Sequence, residues 1–194
     1  GGIAPDPHCR PAMSPTSQNH CRQRPCRSPH GAADALVVEH LHFAAKVAGN
    51  YVNSAFSKSE AGLNGFDEAI VLTEAGKVSE GSAENLFMVR GGKLVTPGVN
   101  DDILEGITRA GIIEIAAELG IPVVERQIDR SELYIADEIF LVGTGAQVSP
   151  VIEVDHRLVG TGKIGELTKR IQSRYFDAVR GKVPAYKHWL TPIY

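Results

Sequence analysis

No run of apolar residues in this chain approaches the ~18 that a membrane-crossing helix needs, so none is expected to cross a bilayer. Cysteine is almost missing: there are three, all within the first thirty residues. That odd, clustered count excludes a disulfide-dependent miniature scaffold and suits a reducing cytoplasm. Excess charge of one sign is also lacking, and the net of −3 argues against a nucleic-acid protein. The opening Gly1–Arg10 has no charged segment leading into an apolar stretch, so no secretory signal is expected. What is present is length: 194 residues suit one domain or a small two-part chain. A domain near 150 residues buries roughly 68–70% of its unfolded surface, enough for a sizeable core.

Residues 1–30 differ from the rest. They hold six of the eleven prolines, four arginines against the single acid Asp6, and no aromatic residue. Such a stretch cannot offset its ordering entropy, and residues 1–34 are expected to form a disordered tail before a domain at 35–194. Cys21, Cys26 and His30 in the tail follow no common zinc spacing, so no metal site is expected.

From about Ala35 the pattern is globular. Tyr51, Ala55, Phe56 and Leu63 recur at helical spacing, and Gly65 suits the residue after a helix. Strand-like runs follow at Glu68–Thr73, Asn85–Val89 and Lys93–Thr96, with a Gly91-Gly92 turn between the last two. Gly106 to Leu119 reads as a helix stopped by Gly120 and Pro122. Further strands are expected at Val123–Gln127, Glu138–Gly143 and Val148–Val154, and a last helix over Gly165–Val179. The order is α+β, not a regular βαβ alternation.

Several short motifs offer chemistry. Gly160-x-Gly162-x-x-Gly165 opens a helix but has no second strand to carry the acid of a dinucleotide site, so a glycine turn is the better reading. Gly106-Ile107-Thr108 places free N–H groups at a helix start, either as a phosphate cradle or as ordinary capping. Gly143-Thr144-Gly145, after a strand, is a second candidate nest or a plain turn. Lys46 lies among small apolar residues, which is either a desolvated nucleophilic amine or a surface lysine with a packed stem. Glu80 follows a hairpin and alone is unremarkable. Together, an amine, a carboxylate and two backbone nests are what pyridoxal 5'-phosphate requires.

Residues 44–190 resemble the C-terminal, cofactor-binding part of branched-chain amino acid aminotransferases, the class IV (fold type IV) pyridoxal phosphate enzymes. The likeness rests on Ala45-Lys46-x-x-Gly49-Asn50-Tyr51, Gly65-Phe66-Asp67-Glu68-Ala69, Ser79-Glu80-Gly81-Ser82-Ala83-Glu84-Asn85-Leu86-Phe87, Gly106-Ile107-Thr108-Arg109, Glu132-Leu133-Tyr134-x-Ala136-Asp137-Glu138 and Gly143-Thr144. It implies that Lys46 is the Schiff-base lysine and proton carrier, Glu80 the partner of the pyridine nitrogen, and Tyr51 that of the phenolic oxygen. It assigns phosphate to Ile107, Thr108 and Thr144, ring packing to Leu104, and the substrate carboxylate to Thr144 and Gly145. Amino acids and 2-oxo acids would be the substrates, Leu, Ile and Val with 2-oxoglutarate, in a homodimer. D-amino acid aminotransferases and aminodeoxychorismate lyases share the scaffold. Members of the family carry an N-terminal domain before the lysine, whereas only 45 residues precede Lys46. A second expectation is therefore a non-catalytic chain that binds the cofactor weakly or serves as a partner.

Overall fold

The computed structural model describes residues 33–39, 46 and 48–193. The tail expected over residues 1–34 lies outside these, apart from its last two residues, and so do Cys21, Cys26 and His30.

Among the described residues, thirteen elements follow one another: β1 (Ala33–Glu39), α1 (Tyr51–Leu63), β2 (Glu68–Leu72), β3 (Val78–Gly81), β4 (Asn85–Arg90), β5 (Lys93–Thr96), α2 (Ile107–Glu118), β6 (Val123–Glu125), α3 (Arg130–Leu133), β7 (Glu138–Gly143), β8 (Gln147–Val154), β9 (Arg157–Leu158) and α4 (Glu166–Val179). Short 3-10 turns precede α1 and follow α4. The strands form one mixed sheet in the order β3-β2-β1-β8-β7-β4-β5-β6, with β9 on β8. β1 runs parallel to both β2 and β8, and β5 runs parallel to β6. The sheet curls until its ends meet. The Val78 N–H donates to the Ile128 carbonyl at 2.9 Å, and Lys77 bridges Asp129.

A strand's period of two splits the core into two layers. Leu86 and Met88 of β4 and Ile139 and Leu141 of β7 point into the curl, beside Ile70, Val78 and Leu133. Their neighbours Phe87, Val89, Phe140 and Val142 face outward against Ile112 and Ile115 of α2 and Ile171 of α4. Because β4 and β7 are covered on both faces, they read as continuous apolar runs. Phe87 and Phe140 stack at 5.3 Å between adjacent strands. Truncating either costs about 3–5 kcal/mol in transfer and cavity terms.

Helix ends follow the local signals. After α1, Gly65 takes φ 91°, Phe66 N–H donates to Ala61 O at 2.9 Å and Gly65 N–H to Gly62 O at 3.2 Å. Gly120 repeats this double closure after α2 with φ 68°, and Pro122 follows. Both are Schellman motifs.

Four points depart from the sequence reading. The apolar spacing of α1 does not mark its buried face, because Phe56 is 71% and Leu63 89% exposed while Ser54 and Ala61 are buried. Small residues let this helix approach β2 closely, and Lys58 ties it there by an ion pair to the buried Glu68. The strand β1 begins at Ala33, two residues inside the expected tail, and β3 was not expected at all. β1 has only non-local parallel partners, and Val78-Ser79-Glu80-Gly81 is too polar to advertise a strand. The four-residue α3 also went unforeseen, although its capping box, Asp129 with Glu132, is written in the sequence.

Candidate active site

One cavity of about 380 Å³ opens at the top of this sheet, within the range typical of small-molecule sites. Lys46, Tyr51, Glu80, Leu104, Ile107, Thr108 and Thr144 all line it. Residues up to 98 positions apart in the chain thus converge, because β3, the β7–β8 turn and the segment before α2 end at one edge. Gly145 is exposed and does not belong to the lining.

Glu80 projects from β3 into this space and is only 8% exposed. Its Oε2 accepts hydrogen bonds from Asn85 Nδ2 at 2.9 Å and Leu104 N–H at 3.0 Å. Burial pushes its carboxyl up to about 7, reinforced by Glu84 and opposed by the Leu104 N–H and the Lys46 charge. A carboxyl balanced near neutrality can share a proton with a basic heteroaromatic nitrogen. Glu84, which also lines the cavity, is likewise raised, first by burial and then by Glu68.

The N-terminus of α2 forms a second wall. Gly106 caps it with φ −67° and ψ 141° and offers no side chain. No described residue accepts from the Ile107 or Thr108 N–H. Two open donors at the positive end of a helix dipole are a geometry that suits an anion. Gly106 is the N-cap of α2, and no side chain caps that end among the described residues.

Lys46 is exposed, and its amine lies 5.6 Å from the centroid of the Tyr51 ring. Asn85 is the buried side chain that sequence reasoning passed over as part of a motif. Its signal was the polar residue opening an otherwise apolar strand, Asn85-Leu86-Phe87-Met88-Val89. Among the described residues no group of three or more His, Cys, Asp or Glu side chains is placed to hold a metal ion. No described helix is long and apolar enough to cross a membrane.

The chain is similar to known proteins. A probable branched-chain-amino-acid aminotransferase of Aquifex aeolicus is 57% identical over 150 residues, 77% of this chain and 48% of that protein. The crystal structure of a branched-chain aminotransferase from Thermoproteus uzoniensis with norvaline superposes with a TM-score of 0.82 at 46% identity, over 86% of this chain and 57% of that one. A further solved branched-chain amino acid aminotransferase, complexed with N-(5'-phosphopyridoxyl)-L-glutamate, gives a TM-score of 0.79 at 44% identity, over 82% and 56% of the two chains. The Escherichia coli enzyme of the same description gives a TM-score of 0.81 at 42% identity, over 84% and 56%. The chain spans about half the length of the curated relatives it matches. The mixed helix-and-sheet fold is that of fold type IV, as the resemblance implied. Since the amino-transferase class IV pattern also runs through residues 11–154, most of its length, the chain belongs to the amino-transferase class IV family.

Proposed function

We propose that this site binds pyridoxal 5'-phosphate and serves the transfer of an amino group from Leu, Ile or Val to 2-oxoglutarate. The observation that carries the proposal is the convergence of Lys46, a carboxyl raised to about 7 and an open helix N-terminus on one cavity. The relative solved with a phosphopyridoxyl-glutamate adduct supports the choice of cofactor. When bound, the cofactor supplies an aldehyde that captures amines and a ring that accepts the electron pair left at a substrate Cα.

In this reading Lys46 Nζ would be the amine that holds the cofactor through its aldehyde carbon and the base that would carry the proton from the substrate Cα to the cofactor C4′. Glu80 holds the proton shared with the ring nitrogen, keeping the ring electron-poor. The N–H groups of Ile107 and Thr108 bind the phosphate, with the Thr144 hydroxyl as a second contact. Tyr51 donates to the phenolic oxygen, and Leu104 packs beside the ring. The Thr144–Gly145 backbone receives the substrate carboxylate, although Gly145 is outside the lining described above. A second copy of the chain is the proposed partner, because Phe56 and Leu63 leave an apolar helix face uncovered. A single monomeric species in sedimentation would remove that part. The odd cysteine count supports a cytoplasmic setting.

Borohydride reduction of the chain incubated with pyridoxal phosphate, followed by peptide mapping, tests the assignment. The expected label is on Lys46 and is lost in Lys46→Ala. A label elsewhere, or none, overturns it. Mixing the loaded chain with leucine in a single turnover then separates transamination, seen as the 2-oxo acid, from binding alone. Glu80→Ala is expected to slow that turnover far more than it weakens cofactor retention, and equal losses would contradict its role.

A further inference from the structure

Asn85 opens β4 and is 5% exposed. Its Nδ2 donates to Glu80 Oε2 at 2.9 Å and to the Leu104 carbonyl at 2.7 Å. The Leu104 N–H donates to the same Glu80 oxygen at 3.0 Å, so three groups close a ring of hydrogen bonds. The Leu104 carbonyl also accepts from the Gly106 N–H at 2.9 Å, which folds the chain tightly into the start of α2. Both acceptors are oxygens, so the amide nitrogen must face them. A flip would set Oδ1 against two oxygens.

The other end of the amide occupies the space that Gly106 leaves open. A Cβ on Gly106 would lie 2.4 Å from Asn85 Oδ1, closer than any carbon can approach. With φ at −67°, Gly106 is glycine for this space and not for its backbone angle. Hence the residue capping the anion-binding helix and the residue gripping the carboxylate are pressed together.

We propose that Asn85 is the positioning residue of this site: its amide fixes Glu80 relative to the N-terminus of α2, joining the proton-holding and anion-holding ends of the cavity into one unit. The inference rests on the reading above for what those two ends hold. It acts through Glu80 and Gly106, not by touching a substrate. Losing the amide removes a donor from ionised Glu80, and losing Gly106 displaces the amide without removing it.

The test uses the 194-residue chain without cofactor, labelled with ¹³C at glutamate carboxyls, with Glu80→Gln assigning the Glu80 signal. The parent midpoint should lie near pH 7. Asn85→Leu, similar in size but without donors, should raise it by about one pH unit, the worth of one hydrogen bond to a charged group. Asn85→Asp keeps the shape and places an acceptor where the donor stood, so its rise should be larger. Gly106→Ala should move the midpoint the same way and add little on top of Asn85→Leu, because both break one contact. A role in filling space alone would leave Asn85→Leu at the parent midpoint, which overturns the proposal. If Asn85→Leu does not fold, Gly106→Ala decides it, and an unmoved midpoint there overturns the proposal. Failure of the borohydride label would sink the cofactor and leave this titration standing, and an unmoved midpoint would do the reverse.

Discussion

The N-termini of α2 and α4 begin alike and end differently. Each is capped by a glycine in extended conformation, Gly106 at φ −67° and ψ 141° and Gly165 at φ −76° and ψ 164°, with no side-chain cap of its own. At α4 the protein fills the gap. Glu138 of β7 accepts from Leu167 N–H at 3.1 Å, Thr168 N–H at 2.7 Å and the Thr168 hydroxyl at 2.6 Å. A Cβ on Gly165 would fall 1.9 Å from the Glu138 carboxyl carbon, so glycine is there to admit that carboxylate. Among the described residues the α2 end receives no such partner, and it faces the cavity. A helix start with a glycine signature is therefore a binding site only where the fold leaves it open. This also settles Gly160-x-Gly162-x-x-Gly165: its helix end is occupied by Glu138. Gly160 and Gly162 take positive φ in a turn closed by Gly162 N–H to Val159 O at 2.8 Å.

The carboxylates beside the two ends sharpen the contrast. Glu80 has its proton affinity raised by burial, to about 7 from about 4.5 in an exposed glutamate. The folded state thus holds the proton more tightly than the unfolded chain. Stability is unpenalised below pH 4.5, falls as pH rises toward 7, and stays lowered above it. Glu80→Gln should remove this slope and gain on the order of 3 kcal/mol over the parent at pH 8, vanishing near pH 4. Urea denaturation across that range checks it, and a parallel pH dependence in both proteins would refute the burial argument.

Glu138→Ala comes next in size. It strips α4 of its borrowed cap, and the expected loss is about 2 kcal/mol in urea unfolding, with the Glu80 titration unchanged. A loss below about 0.5 kcal/mol would mean that the end is satisfied some other way. The smallest effect comes from making α2 resemble α4. Ile107 is 84% exposed in the first turn, and Ile107→Asp supplies the missing carboxylate. Stability should rise by about 0.5 kcal/mol while pyridoxal phosphate affinity falls about tenfold, read by equilibrium absorbance. Unchanged affinity would show that the phosphate is not held at that helix end.

Much of the fold was readable locally. The glycine stops of α1 and α2, the hairpin through Gly91-Gly92 and the runs of β4 and β7 are near-neighbour physics, and they came out within a residue or two. Residues singled out along the sequence, Lys46, Tyr51, Glu80, Leu104, Ile107, Thr108 and Thr144, line one cavity. Less visible was anything fixed at a distance. β1 is a strand because β2 and β8 flank it. The face α1 buries contradicts its own apolar spacing for the same reason. β3 pairs antiparallel with its neighbour β2, and its polar residues hid that hairpin.

Taken alone, the order of residues determined where helices stop, which strands are buried on both sides, and which chemical groups the family pattern brings forward, because those depend on backbone angles and periodicity within a few residues. Tertiary structure alone decided which glycine-capped helix end stays open, that Glu80 is buried enough to hold a proton near neutrality, and that Asn85 locks it to α2. Each of those is set by which group arrives from elsewhere in the chain and how much water it displaces, and no local pattern encodes that.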